Sequence, residues 1–302
     1  GMSGLLGQGV ILVLASAILF GSSARSAEPL VLAGPAMGTT YRVTLAAEVP
    51  GLTHGEVHRE IEAVLARIDL QMSTWREDSD ASRFNRAGAG EWVEVGDDLA
   101  AIVEIARQTH AETEGAFDIT VAPLVQLWAG RRADDSVPTA AEIAVALDSV
   151  GMDLVESRPA GVVAAGLPAA LRKRRPGVAI DLGGIGPGFA VDSVGARLIA
   201  LGSRGHLVEL GGEVRAWGRG PGGRPWRVAL PHEPGSVIEL VPGEAIAFST
   251  VLPGRGPIDP RTGRPATSPP GTFLARAGSC AVADARAVAT AIAAGRMPPP
   301  QR

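Results

Sequence analysis

The residues best placed to do chemistry in this 302-residue chain lie where glycines crowd together. From Val178 to Asp192 the sequence VAIDLGGIGPGFAVD sets Gly183, Gly184, Gly186 and Gly188 between two apolar patterns. Val178, Ile180 and Leu182 alternate as a short strand would, and Phe189, Ala190, Val194, Leu198 and Leu201 recur at helical spacing. A turn without Cβ atoms lets a ligand approach the backbone, and unpaired N–H groups with the dipole at a helix start favour a phosphate. Pro187 suits the first turn of that helix. Glycines in such turns serve ordinary helix–sheet packing at least as often, so both readings stand at this point. The order GGIGPG is not the dinucleotide fingerprint, because Asp181 precedes the glycines instead of following about 20 residues later.

Other reactive types give less. Asp284, at the opening of a C-terminal helix, reads by itself as a first-turn carboxylate favoured by the dipole. His54 and His58 lie four apart with no third ligand at a recognisable spacing, and read as exposed polar residues. A single cysteine, Cys280, excludes an internal disulfide framework and a multi-thiolate metal site. With 28 Lys plus Arg against 32 Asp plus Glu, the net charge of -4 argues against a nucleic-acid partner. The run Arg172–Lys173–Arg174–Arg175 before Pro176 reads as a solvated loop.

The elements that must position these residues follow from periodicity. Leu30–Ala46 predicts two short strands broken by AGPAMGTT. Val57, Ile61, Val64, Leu65, Ile68 and Met72 mark one face of a helix, followed by a polar loop, MSTWREDSDASRFN, around a buried Trp75. Glu91–Val95 alternates as a strand, Asp97 caps a helix, and Pro123 limits regular structure across GAFDITVAPLVQLW. Thr139 and Glu142 have capping-box spacing ahead of a helix to about Val150. Short strands at 206–210, 213–217, 226–230, 237–241 and 245–248 suggest an antiparallel sheet, and a last helix spans about 281–294. The apolar run at residues 5–20 and the small residues after it read as a signal peptide over 1–27, an uncleaved anchor being the alternative. The remainder then reads as one periplasmic domain, 28–295, with a disordered tail over 296–302.

Seven motifs occur together and in one order: AMGTTY, MSTWREDSDASRFN, GAFDIT, DLGGIGPGFAVD, VELGGEVRAWG, IDPRTGRPA and SCAVADARAVATA. In that set the chain resembles the ApbE-type FAD:protein FMN transferases. The resemblance implies an α+β, T-fold-like architecture of antiparallel or mixed sheets with packed helices, and a flavin nucleotide held in a cleft between Gly-rich turns. It implies cleavage of FAD with Mg²⁺ and attachment of FMN, through a phosphoester, to a Thr or Ser of an acceptor protein. Met37, Ser73, Thr74, Trp75, Asp118, Thr120, Asp181 and Gly184 fall in the family's flavin- or adenosine-contacting motifs. Gly211 and Gly212 form a second Gly-Gly turn, and Asp259 with Thr262 belongs to the IDPRTG loop. Asp284 aligns with the family's metal-binding, catalytic Asp, and Gly186 with a ligand that uses its backbone carbonyl.

The sequence departs from that pattern at the chemistry. Pro187 stands where the family usually has Lys, Val288 where a Thr supplies a metal-binding hydroxyl, and Gly256 or Pro257 where a His precedes Ile-Asp-Pro-Arg. Glu209 replaces the more usual Asn before Leu-Gly-Gly, and Arg255 or Arg261 are the cations able to substitute. These departures set a flavin-binding, non-catalytic paralogue against the transferase as the second reading.

Overall fold

Met37 and Gly38 both take positive φ, 50° and 76°, and reverse the chain in two residues between β1 (Leu30–Ala36) and β2 (Thr39–Leu45). Paired left-handed residues give the turn twist that matches two antiparallel strands, so the strands run through the positions expected to interrupt them. The structure is a computed structural model describing residues 29–133, 136–161, 166–230, 235–252 and 255–295. The expected leader over 1–27 and the tail over 296–302 lie outside the described residues.

A capping box between Thr53 and Glu56 starts α1 (His54–Met72), whose buried face is the stripe Val57, Ile61, Val64, Leu65, Ile68 and Met72. The polar segment after it is not all loop: the Ser79 hydroxyl accepts from the Ser82 amide at 3.0 Å and starts α2 (Asp80–Arg86). After β3 (Trp92–Glu94) comes α3 (Asp97–Glu112), capped at Gly96 and not by Asp97. Pro123 sits in the first turn of α4 (Ala122–Ala133), where a missing N–H leaves no helical bond unmade, so the expected interruption does not occur. The Thr139–Glu142 capping box opens α5 (Ala140–Leu147).

β4 (Val155–Arg158) and β5 (Ala170–Lys173) join β3 in a three-stranded sheet with β5 at its centre. The basic run is therefore no solvated loop. Alternation on β5 turns Lys173 inward, 2% exposed, while Arg172 and Arg174 pair with Glu156 outside. Nζ of Lys173 donates to the Asn85 carbonyl at 2.9 Å and the Val178 carbonyl at 2.7 Å.

The expected strand at Val178–Leu182 pairs with no strand among the described residues. A side chain takes the partner's place: Asn85 accepts from the Ile180 amide at 2.7 Å and donates to its carbonyl at 3.0 Å. The next amide, of Asp181, donates to the Ile119 carbonyl at 2.7 Å. The Gly-rich turn then enters α6 (Gly186–Ala200), with Pro187 in its first turn.

The remaining strands are β6 (Gly205–Leu210), β7 (Glu213–Gly218), β8 (Trp226–Ala229), β9 (Val237–Leu240), β10 (Ala245–Val251), β11 (Ile258–Asp259), β12 (Arg264–Pro265) and β13 (Gly271–Ala277). The expected single sheet divides. An antiparallel six-stranded sheet runs β1-β2-β6-β7-β10-β13, while β8–β9 and β11–β12 are separate hairpins. The chain closes with α7 (Cys280–Ala294), packed against α6, β10 and β13. The result is α+β, with the main core between the large sheet and α1, α6 and α7. No described helix is long and apolar enough to cross a membrane.

Candidate functional site

Two cavities adjoin on either side of Asp181. One, of about 410 Å³, is lined by Thr74, Trp75, Asn85 and Ile180 on one side and by α4 on the other. The second, of about 260 Å³, is lined by Phe117, Asp118, Gly183, Gly184, Ile258 and Val288. Val125 and Asp181 line both, so they form one cleft between α2, α4, the Gly-rich turn and α7.

The structure thus gathers Thr74, Trp75, Asp118, Asp181 and Gly184 around one space. Trp75 is 90% exposed at the rim, contrary to the buried position expected of it. Its loop is held from below, by Arg76 on Asp78 and Asp69 and by the Ser79 and Ser82 hydroxyls on the Ser73 carbonyl, and nothing covers the ring. Ser73 shapes that turn, its hydroxyl accepting from the Trp75 amide at 3.3 Å.

Asp118 is nearly inaccessible and held from two sides. Thr120 donates to it from its hydroxyl at 2.5 Å and from its amide at 2.7 Å, and His110 Nδ1 lies 3.2 Å from the other oxygen. The carboxylate beside it raises the His110 pKa. Thr120 is itself fully buried, its hydroxyl accepting from the Gly151 amide at 2.7 Å, so it orients Asp118 and does not reach the cavity. His110, in the last turn of α3, carries no sequence signal, because its partner Asp118 meets it only through the fold.

The glycines differ in what surrounds them: Gly184 lines the second cavity, whereas Gly188 serves helix packing. A Cβ on Gly184 would meet Val288 at 3.0 Å and Phe117 at 3.4 Å, inside the second cavity. A Cβ on Gly188 would lie 2.3 Å from the Cys280 carbonyl, so that glycine lets α6 and α7 cross. At the crossing the Gly188 amide donates to Asp284 at 3.2 Å. Asp284 lies in the second turn of α7 and not at its opening, which Ser279 caps. It is 4% exposed, and burial pushes its pKa up to about 7. Glu213 lies in the same buried region and is raised well above the carboxylate range by burial, by Asp284 and by Glu209.

Met37 approaches the other side of this turn, its methyl 3.6 Å from where a Cβ of Gly186 would stand. Gly211 and Gly212, both at positive φ, turn β6 into β7 next to Thr39 and Glu213. Asp259 and Thr262 do not line the cleft; their neighbours Ile258 and Pro260 do. Asp259 instead accepts from Arg261 Nε at 2.9 Å and from the Arg261 amide at 3.0 Å, and exposed Thr262 accepts from the Arg264 amide at 3.4 Å. Arg261 is thereby committed, and the expectation that it enters the site is corrected.

Among the described residues no three His, Cys, Asp or Glu side chains converge as a metal cluster. A magnesium ion commonly takes only one or two carboxylates and fills its octahedron with water and substrate phosphates, so it does not require such a cluster. The resemblance assigns Asp284 and the Gly186 carbonyl to that role, and a cation beside Asp284 would offset the charge that burial penalises there.

A family model described as the ApbE family matches residues 37–296. The chain belongs to the ApbE family. It is 34% identical over 293 residues to the FAD:protein FMN transferase of Vibrio cholerae, covering 91% of this chain and 84% of that protein. Against the FAD:protein FMN transferase of Haemophilus influenzae it is 33% identical over 229 residues, 73% of this chain, and spans 63% of that protein's length. The apo crystal structure of the Pseudomonas stutzeri flavinyl transferase ApbE superposes with a TM-score of 0.75 at 31% identity, covering 89% of this chain and 85% of that one. The α+β architecture of this ApbE-family chain is that of its solved relatives.

Proposed function

We propose that this protein is an FAD:protein FMN transferase that cleaves FAD and joins FMN through a phosphoester to a Thr or Ser hydroxyl of a redox protein outside the cytoplasm. The observation that carries the reading is one cleft lined by the Trp75 loop, the Gly-rich turn and, through Val288 and Ile292, α7. The exposed Trp75 stands at the rim, Asp118 and Gly184 line the wall, and Asp284 is fixed behind the turn by the Gly188 amide. The family membership, and relatives named as FAD:protein FMN transferases, support it. The export expectation rests on the apolar run at residues 5–20.

In this reading Trp75 offers a π-face for a flavin or adenine ring, and the Gly183–Gly184 backbone allows the pyrophosphate close approach. Asp118, fixed by Thr120 and His110, accepts hydrogen bonds from the nucleotide without having to reorganise. Magnesium, when held by Asp284 and the Gly186 carbonyl, supplies charge neutralisation at the transferring group. The acceptor hydroxyl oxygen bonds to the flavin-side phosphorus, the bond from that phosphorus to the bridging oxygen breaks, AMP leaves, and the hydroxyl proton is released. Val288 contributes no ligand, so water or phosphate oxygens complete any magnesium shell beside it.

The test is incubation with FAD and Mg²⁺ while AMP release and covalent flavin on an acceptor peptide are followed, beside Asp284→Ala. AMP release that disappears in the variant supports the transferase. Tight FAD binding with no AMP, under conditions where the Vibrio relative turns over, replaces it with the flavin-binding paralogue.

A further inference from the structure

A further cavity, of about 670 Å³, is a groove beside the candidate cleft, between β13 and the opposite face of α7. Ala116 lines both spaces, and Pro260 of the cleft is followed directly by Arg261 of the groove. The groove floor is Leu274 and Ala275 of β13 with Ala289 and Ala293 of α7. Its cations are already matched: Arg261 holds Asp259, and Arg286 holds Glu112 at 2.7 Å. A free anion is therefore a poor occupant.

The strand beside it is suited to another ligand. β13 ends the six-stranded sheet and pairs along its whole length with β10, from Ala245↔Ala277 to Val251↔Gly271, with no strand on its other side among the described residues. The opposite edge, β1, carries Pro35, a residue that blunts strand addition, whereas β13 (GTFLARA) carries no proline and a single charge. An open edge of this kind takes up an extended peptide through its backbone groups, with side chains read by adjoining pockets. Gly271 lies opposite Val251, after which the chain leaves the sheet toward Pro257 and Ile258 of the cleft.

We propose that the acceptor protein docks as an extended segment along the β13 edge, in the groove walled by α7, and so presents its hydroxyl to the neighbouring cleft. This rests on the transferase reading, which requires a protein substrate to reach that cleft. Edge pairing fixes the segment's direction and register, and the small residues Ala289 and Ala293 leave room for its side chains.

A synthetic peptide library with one central Thr or Ser per member is screened with wild-type protein, FAD and Mg²⁺ for covalent FMN. The best substrate is then used with Ala293→Arg and Thr290→Arg, both at exposed groove positions. The expected result is a KM for the peptide raised about tenfold in each variant, with FAD affinity and melting temperature as in wild type. Hydrogen exchange at 271–277 slows when the peptide is added. An unchanged peptide KM in both variants, or no added protection at 271–277 while wild type transfers FMN, overturns the docking alone. Wild-type protein that flavinylates no member overturns the transferase reading and the docking with it.

Discussion

The Gly188 amide donates to the Asp284 carboxylate at 3.2 Å, joining the start of α6 to the second turn of α7 across 96 residues of chain. The exchange is reciprocal. Asp192, on α6, accepts from the Cys280 amide at 2.9 Å, the Ala281 amide at 3.0 Å and the Ser279 hydroxyl at 3.0 Å, and pairs with Arg215. Each helix start is held by a carboxylate from the other helix, which satisfies orphan N–H groups and fixes Asp284 relative to the Gly-rich turn.

The two carboxylates should separate in their effects. Asp284→Asn keeps an acceptor for Gly188 and removes a charge disfavoured by burial, so the metal-free melting temperature holds or rises. AMP release falls a hundredfold or more, the order lost with one oriented charge stabiliser. Asp192→Ala unpairs Arg215 and strips the start of α7, costing about 3 kcal/mol on urea unfolding. Retained AMP release in Asp284→Asn would reduce that residue to a helix cap.

Trp75 offers the cleanest division between binding and folding. At 90% exposure, Trp75→Ala should leave unfolding free energy within about 0.5 kcal/mol of wild type. Loss of a stacking face costs about 1–3 kcal/mol per base, so FAD should bind at least several-fold more weakly by fluorescence titration. Unchanged FAD affinity would remove Trp75 from the ligand site.

Asn85 acts through the Gly-rich segment. Asn85→Ala leaves both the amide and the carbonyl of Ile180 without their partner, next to Asp181. Each unmet buried backbone group costs about 1–3 kcal/mol, so stability falls by about 2 kcal/mol or more and FAD affinity falls with it. Asn85→Asp restores only the acceptor toward the Ile180 amide and should recover part of the loss. Equal stability in all three proteins would show that Ile180 finds other partners.

These elements also show what the sequence made legible. Stripes such as Val57–Met72 and the Thr139–Glu142 cap are local patterns, and α1 and α5 form where those patterns stand. Two positions misled for one reason: the deciding partner is remote. Charge around Lys173 reads as solvent-facing, yet Asn85 and Val178 supply carbonyls that let its ammonium sit inside β5. Alternation at Val178–Leu182 reads as a strand, yet the pairing partner is an asparagine side chain. The motif residues Thr74, Trp75, Asp118, Asp181 and Gly184 meet at one candidate cleft, while His110 joins them only through tertiary contact with Asp118.

His206 makes the fold sensitive to acid. It is fully buried, stacked on Trp217 at 4.9 Å and bonded to Ser203 at 2.9 Å, and burial lowers its pKa to about 4. Below the ordinary value of 6.5 the unfolded chain takes up a proton that the folded chain refuses. Stability from this group is thus complete above pH 6.5 and declines as pH falls toward 4, by about 3 kcal/mol at most. Urea unfolding at pH 7 and pH 4.5 should show a smaller loss in His206→Leu than in wild type. Parallel losses in the two proteins would mean that His206 already titrates at its ordinary value when folded.

Val288 tests the magnesium reading, because the family resemblance implies a metal-binding Thr at its position. Its side chain lines the cleft, 3.0 Å from where a Cβ of Gly184 would stand, and lies one helical turn beyond Asp284. Val288→Thr changes one methyl to a hydroxyl in nearly the same shape, and at this half-buried helical position the hydroxyl can bond the carbonyl four residues back, which limits the loss of stability to about 1–2 kcal/mol. If Asp284 and the Gly186 carbonyl hold magnesium, the hydroxyl adds a hard oxygen ligand on the same helix face. Half-saturation for Mg²⁺ in AMP release then falls several-fold, and turnover rises. Gly184→Ala is the matching control, since its methyl would press on Val288 and Phe117 and weaken FAD binding without touching the ligands. A V288T protein with wild-type magnesium dependence, beside a G184A protein that loses FAD, would place the nucleotide in this cleft and move the ion away from α7.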